Sequence, residues 1–144
     1  MKNRTQIIED LLLQFGVRPN LKGFPDAVVV TRLWMEAQDA GDRSPCITKI
    51  YISAAQELGT TRTRIERTIR HAIELIYLVA DAFDDEVADY LFPPQVASKG
   101  KLTNAEFISV IALLARREEE KQAAEAPAKA YDGWRGDLEA AYHG

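Results

Sequence analysis

The segment TTRTRIERTIRHAIE at residues 60–74 constrains the fold most, because its apolar residues recur at the spacing of one helix face. Stepped at about 100° per residue from Arg64, the apolar side chains fall within an arc of about 80–180°: Ile65, Ile69, Ala72, Ile73 and Ile76. The polar side chains fall between about 240° and 360°: Arg64, Arg67, Arg70, His71 and Glu74. The segment therefore predicts a helix with a buried isoleucine face and an exposed arginine face.

The exposed face of this helix uses arginine rather than lysine for its fixed positive charges. The planar guanidinium suits forked hydrogen bonding to phosphate or to the O6/N7 edge of guanine. A solvated helix face is the ordinary alternative for an amphipathic helix. Glu66 lies at the edge of the arginine face, near about 200° on the same wheel. A glutamate beside phosphates weakens DNA binding unless its carboxylate reads a base or orients an arginine. The presence of Glu66 therefore favours sequence-specific recognition over purely electrostatic binding.

The preceding residues complete the spacing of a helix-turn-helix. Ala55 is small enough for a second helix to cross closely, and Gly59, four residues later, suits the turn. Ile65, six positions further on, would anchor the second helix in the core. The pattern is weak alone and gains weight from the arginine face that follows it.

In a helix-turn-helix the second helix enters the DNA major groove with its N-terminal residues on base edges. We therefore expect Arg64 and Arg67 to reach bases, and Glu66 to accept a hydrogen bond from a cytosine amino group. The other basic side chains of the segment are expected to touch phosphate or flank the contact: Arg62, Arg70 and His71.

The rest of the chain also predicts helices, so the expected fold class is all-α. The helical segments are 7–15, 25–40, 47–58, 61–78, 81–91 and 103–121. Glycines at 16, 41 and 59 offer left-handed stops, and Pro93-Pro94 ends the fifth segment. Thr103 and Glu106 fit a capping box at the start of the last helix. Val28-Val29-Val30 would suit a strand, but no partner strand is apparent.

Composition predicts an ordinary globular protein with one domain and an appendage: of 144 residues, 47% are apolar and 28% charged. No apolar run approaches the length of a membrane span, and the N-terminus lacks the features of a signal peptide. We therefore expect a cytoplasmic protein without a membrane partner. The single cysteine, Cys46, cannot form an internal disulfide and fits a reducing compartment.

The acidity of the chain is concentrated in its C-terminal end. Residues 118–144 hold three basic and seven acidic residues, which accounts for the whole net charge of −4 and leaves residues 1–117 neutral. We expect a helical DNA-binding domain at 5–121 and an acidic, aromatic-containing extension at 122–144. This extension is interpreted as a linker with a short helix, and four residues in it have roughly helical spacing: Tyr131, Trp134, Leu138 and Tyr142.

The run ITKIYISAAQELGTTRTRIERTIRHAIE resembles the DNA-binding effector domain of the master response regulator of sporulation initiation, the C-terminal domain of stage zero sporulation protein A. Two distant segments match in the same order: FGVRPNLKGF at 15–24 and KLTNAEFI at 101–108. Together the matches span about Ile7 to Glu118. Three separated matches are difficult to obtain by chance.

The resemblance implies an all-helical bacterial domain of about six helices containing a helix-turn-helix. It implies transcription regulation through double-stranded DNA boxes near TGTCGAA, often bound by paired domains on adjacent sites, and hence a homodimer there. It assigns base reading to Arg64, Glu66 and Arg67. It also implies that Arg70 and His71 support the contact and that Lys101 touches the backbone. Beside these positions, we expect three residues at the start of the helix to touch the backbone or support the contact: Thr61, Arg62 and Thr63.

The chain departs from the family pattern in three ways. The match begins near residue 7, so we expect no receiver domain of the kind that precedes this domain in the family. Residues 81–89 are more acidic than the corresponding family segment, and residues 122–144 are additional.

These departures keep a second hypothesis open: a protein-interaction module or antagonist that binds another regulator through 81–91 or 122–144. An enzyme is not expected, because no catalytic constellation, metal-ligand cluster or cofactor motif emerges. The sequence therefore predicts no metal and no cofactor.

Overall fold

The computed structural model of the protein describes residues 1–94 and 100–143, with side chains through residue 125. These residues form six α-helices and one short 3-10 helix at Ala80–Ala82, and they contain no β-strand. The helices are α1 (Arg4–Gln14), α2 (Gly23–Asp39), α3 (Ile47–Leu58), α4 (Arg62–Leu78), α5 (Asp85–Leu91) and α6 (Asn104–His143). The all-α prediction is confirmed. Because a receiver is a doubly wound α/β domain, the described residues contain none.

The helix ends follow local side-chain chemistry. The predicted capping box of α6 is present: Thr103 Oγ1 accepts from the Glu106 backbone N–H at 3.2 Å, and Glu106 Oε1 accepts from the Thr103 N–H at 2.9 Å. Thr61 Oγ1 starts α4 in a similar way by accepting from the Arg64 N–H at 3.2 Å. Left-handed glycines follow the first three helices, at Gly16, Gly41 and Gly59. These boundaries could be predicted because each depends on a few neighbouring residues.

The core forms where α6 packs against α1, α2 and α4, while α2 also packs against α3 and α4. The isoleucine face of α4 is buried in this core, and none of its five predicted members is more than 3% exposed. Two aromatic rings close the other side of the core: Phe15 and Phe107 meet edge to face with centroids 6.2 Å apart. The fold therefore leaves the opposite face of α4 directed away from the core.

An ion-pair network connects the start of α1 and the end of α2 to the middle of α6. Arg4 donates to both oxygens of Glu119, at 2.7 and 2.9 Å, and to Asp39 Oδ2 at 2.8 Å. Arg116 lies 3.0 Å from Asp39 Oδ1 and donates to the backbone carbonyl of Met35 at 3.4 Å. The network therefore joins three helices through charged and polar side chains.

Residues 81–91 do not form the single helix that the sequence predicted. Instead, the chain makes the 3-10 helix Ala80–Ala82 and then starts α5 at Asp85. The side chain of Asp84 accepts from the backbone N–H of Val87 at 3.0 Å. Asp84 is therefore an N-cap, and an N-cap residue has extended rather than helical backbone angles, which divides the segment in two.

The last helix is longer than predicted, because its backbone continues past Lys121 through the residues that the sequence predicted as a linker with a short helix. α6 continues from Asn104 to His143. The charged run at 116–121 and residues 122–125 after it are good helix formers, and Gln122 donates to Glu118 at 3.2 Å across one turn. The proposed domain boundary at 121 stays a prediction. The spaced residues Tyr131, Trp134, Leu138 and Tyr142 lie beyond the described side chains.

Among the described residues, no helix is both long enough and apolar enough to cross a membrane.

Asp39→Asn is expected to destabilise the protein at neutral pH but not in acid. Arg4 first, and then Arg116, lower the pKa of Asp39. Because the folded pKa lies below the unfolded one, the stabilisation is present above about pH 4 and is lost as pH falls through the folded pKa. Since Asp39 is half-exposed, we expect a loss of roughly 0.5–1 kcal/mol in the free energy of unfolding at pH 7.

Urea unfolding at pH 7 and pH 3 measures this effect. The charge-matched control is Asp89→Asn, on the exposed surface of α5. An equal loss for Asp39→Asn at both pH values would show that the ion pairs do not cause it.

Candidate nucleic-acid interface

The three residues that predicted a helix-turn-helix occupy the positions that this motif requires. Gly59 has a φ of 67° at the C-terminus of α3, and three residues connect α3 to α4. The carbonyl of Ala55 accepts from the Thr60 N–H at 3.0 Å, which closes the turn. Ile65 is fully buried at the first turn of α4. The turn and its anchor therefore fix the direction in which α4 leaves α3.

The predicted contact residues share one exposed surface. We define the arginine face as the outward side chains of the N-terminal half of α4: Thr63, Arg64, Glu66, Arg67, Arg70 and His71. All of them are exposed except Glu66, which is partly buried. Thr61 and Arg62, at the start of the helix, are exposed as well, as is Lys101 in the loop before α6. The structure brings the whole predicted set to the surface of one helix and its border.

Glu66 is held at the border of the arginine face by two neighbours. Its carboxylate accepts a hydrogen bond from Arg70, one turn further along α4. Its backbone carbonyl accepts from the Asn104 side-chain amide at 2.9 Å, which connects α4 to the first turn of α6. A guanidinium has five N–H donors. Arg70 can therefore orient Glu66 and still present N–H groups to solvent.

Tyr77 secures the loop that carries Lys101. Its hydroxyl donates to the Leu91 carbonyl at 2.7 Å and accepts from the Leu102 N–H at 3.0 Å. The Tyr77 ring meets Phe92 edge to face at 5.3 Å. Lys101 lies one residue from this anchor and lines a groove with Glu66 and Arg70. The C-terminal half of α4 thus positions a lysine beside the N-terminal half.

The start of α2 also borders the arginine face, which the periodicity of the sequence did not reveal. A Cβ atom at Gly23 would lie 2.5 Å from the Thr68 carbonyl oxygen and 3.0 Å from the Ala72 Cβ, so only glycine allows this approach. Lys22, the preceding residue, is exposed and lines a groove with Arg64 and Arg67. In the sequence, only the matched segment FGVRPNLKGF, which contains Lys22 and Gly23, could have drawn attention to this position.

Asp26 is a partly buried carboxylate at this junction. It accepts a hydrogen bond from the Thr68 hydroxyl at 2.5 Å. Burial raises the pKa of Asp26, while the Thr68 hydrogen bond and the charges of Arg64 and Lys22 lower it by a smaller amount. The side chain therefore places negative charge next to two basic residues of the surface.

The described residues contain no group of three or more His, Cys, Asp or Glu side chains that could hold a metal ion. Cys46, at the start of α3, is exposed as a free thiol. The polar groups on the arginine face and its border are guanidinium, imidazole, ammonium, carboxylate and hydroxyl groups.

Residues 8–114, which are 107 of the 144 residues, match the family model described as "Sporulation initiation factor Spo0A C terminal". The match includes α1 from Ile8 onward, all of α2 to α5 and the first part of α6. All three segments on which the sequence resemblance rested lie inside it, at 15–24, 47–74 and 101–108.

Tyr77→Phe is expected to lower the free energy of unfolding by about 1–3 kcal/mol, because it leaves the Leu91 carbonyl and the Leu102 N–H without their partner. Tyr90→Phe is the matched control, since the Tyr90 hydroxyl only accepts an exposed hydrogen bond from Arg117 at 3.2 Å. Urea unfolding compares the two variants. Equal losses would contradict the role assigned to Tyr77 in fixing the Lys101 loop.

Asp26→Asn is expected to raise the melting temperature at pH 7. The folded pKa of Asp26 lies above its unfolded value, so its ionised form destabilises the fold above the folded pKa. That penalty disappears as pH falls below the unfolded pKa of about 3.9. Asparagine keeps an acceptor for Thr68 without the charge. In thermal melts between pH 7 and pH 4, the melting temperature of Asp26→Asn should exceed that of wild type by an amount that decreases toward pH 4. A melting temperature of Asp26→Asn below that of wild type at pH 7 would contradict a destabilising charge at Asp26.

Proposed function

We propose that this chain, which belongs to the family of Spo0A C-terminal domains, regulates transcription by sequence-specific binding of double-stranded DNA through α4. The family is one of DNA-binding domains of sporulation control rather than of enzymes. The observation that supports sequence-specific binding through α4 is that the two faces of this helix differ. Its isoleucine face is buried, and its arginine face is exposed directly after the three-residue turn from α3.

Base reading is assigned to Arg64, Glu66 and Arg67. The first residues of a recognition helix approach base edges most closely, and these three lie within the first two turns of α4. An arginine that donates to both O6 and N7 of guanine discriminates against other bases by about 1–3 kcal/mol. The carboxylate of Glu66 suits a cytosine amino group, and its hydrogen bond from Arg70 supports a fixed orientation.

The supporting residues surround these three on the same exposed surface. Thr61, Arg62 and Thr63 lie at the N-terminal end of α4, and Arg70 and His71 continue the face toward its middle. Lys101 approaches from the loop before α6. Phosphate contacts of this kind fix the position of the protein on the duplex and carry no sequence information themselves.

Arg67→Ala is the direct test of base reading. We expect weaker binding to the preferred duplex and a preference relaxed by about 1–3 kcal/mol at one base pair. Fluorescence anisotropy with a TGTCGAA duplex and its single-base variants measures both effects. Arg117→Ala, which removes an exposed arginine of α6, is the matched control and should leave the preference unchanged.

Equal binding of the wild-type protein to the TGTCGAA duplex and to a scrambled duplex at moderate salt would contradict specific recognition of this box. Recovery of one stoichiometric protein partner through residues 81–91 or 122–144, without DNA binding, would instead support the protein-interaction hypothesis.

A further inference from the structure

The N-terminus of α2 lies against the side of α4. Gly23 makes this approach possible, because any side chain there would collide with the Thr68 carbonyl. Lys22 is the N-cap of α2 and directly precedes Gly23 in the chain. Because Gly23 packs against α4, the backbone of Lys22 also lies close to α4. The position of the Lys22 side chain therefore follows from the packing of two helices.

Lys22 borders one edge of the arginine face, and Lys101 borders the other. Lys22 lines grooves with Arg64, Arg67 and Thr68, which lie at about 0°, 300° and 40° on the α4 wheel. Lys101 lines a groove with Glu66 and Arg70, which lie at about 200° and 240°. The predicted base readers occupy the arc between the two lysines.

Asp26 supplies a negative charge beside Lys22 and Arg64. Its carboxylate is itself held by the Thr68 hydroxyl. Asp26 lines one groove with both Lys22 and Arg64, so the three charged side chains lie together at this edge of α4.

We propose that Lys22 contacts a DNA phosphate, on the strand opposite to the one that Lys101 contacts. The proposal rests on the function proposed above. A helix in the major groove has a sugar-phosphate backbone on each side, because the groove is only about 12 Å wide. Residues at opposite edges of the exposed arc therefore meet different strands. The two lysines set the position of α4 between the strands while its arginines read bases.

Salt-dependent binding tests the contact itself. The variants are Lys22→Gln, Lys101→Gln and the double variant. Lys121→Gln is the charge-matched control, because Lys121 on α6 lines a groove with residues of α1 and α5. Each of the first two should reduce the slope of log affinity against log salt by about 0.9, and the double variant by about twice that amount. Affinity for the TGTCGAA duplex and for a scrambled duplex should fall by the same factor, about fivefold to tenfold near 0.1 M salt.

Phosphate neutralisation tests the strand assignment. Duplexes carrying a single methylphosphonate are scanned along each strand, and wild-type protein should lose affinity at one or more positions on both strands. The affinity of Lys22→Gln should not change when a methylphosphonate is placed at one of these positions on one strand. The affinity of Lys101→Gln should not change at one of these positions on the other strand. Assignment of both lysines to the same strand would overturn the proposed arrangement.

Two controls separate this inference from the proposed function. Lys22→Arg should restore the salt slope, and thermal melts of Lys22→Gln should match wild type because the side chain is exposed. If wild-type protein binds no duplex, the proposed function fails. If wild-type binding depends on Arg67 while Lys22→Gln keeps the full salt slope, only the contact of Lys22 is wrong.

Discussion

Burial of the isoleucine face of α4 is the constraint on which the other features depend. Ile65, Ile69 and Ile76 are almost completely inaccessible to solvent, and full burial of each such side chain is worth about 1.5–3 kcal/mol. Rotating α4 about its axis would expose these residues. Packing in the core therefore also determines which residues of α4 face outward. It fixes the rotation of the helix about its axis, and with it the direction of the arginine face.

Contacts around α4 then hold it in one position relative to its neighbours. Asn104 binds the backbone carbonyl of Glu66, Tyr77 anchors the loop before α6, and Gly23 lets α2 approach from the other side. These contacts draw on segments far apart in the chain, and together they border the same exposed surface. A surface whose side chains are held in this way loses less conformational entropy when it binds a ligand.

The parts of the fold that sequence predicted are those determined by neighbouring residues. The face of α4 follows from helical spacing, and the start of α6 from Thr103 and Glu106. The sequence did not predict the division at Asp84 or the continuation of α6, because each depends on competition between helical and non-helical conformations. Nor did periodicity reveal Lys22 as a neighbour of Arg64, since their proximity arises from the packing of two helices.

Recognition of a DNA sequence by the arginine face can be measured by selecting bound molecules from random duplex DNA at several salt concentrations. Wild-type protein is expected to enrich one short box, and the enrichment should persist as salt weakens non-specific binding. A protein with Arg64, Glu66 and Arg67 replaced by alanine should enrich none. Retention of duplexes by wild-type protein without any common sequence would contradict sequence recognition by the arginine face.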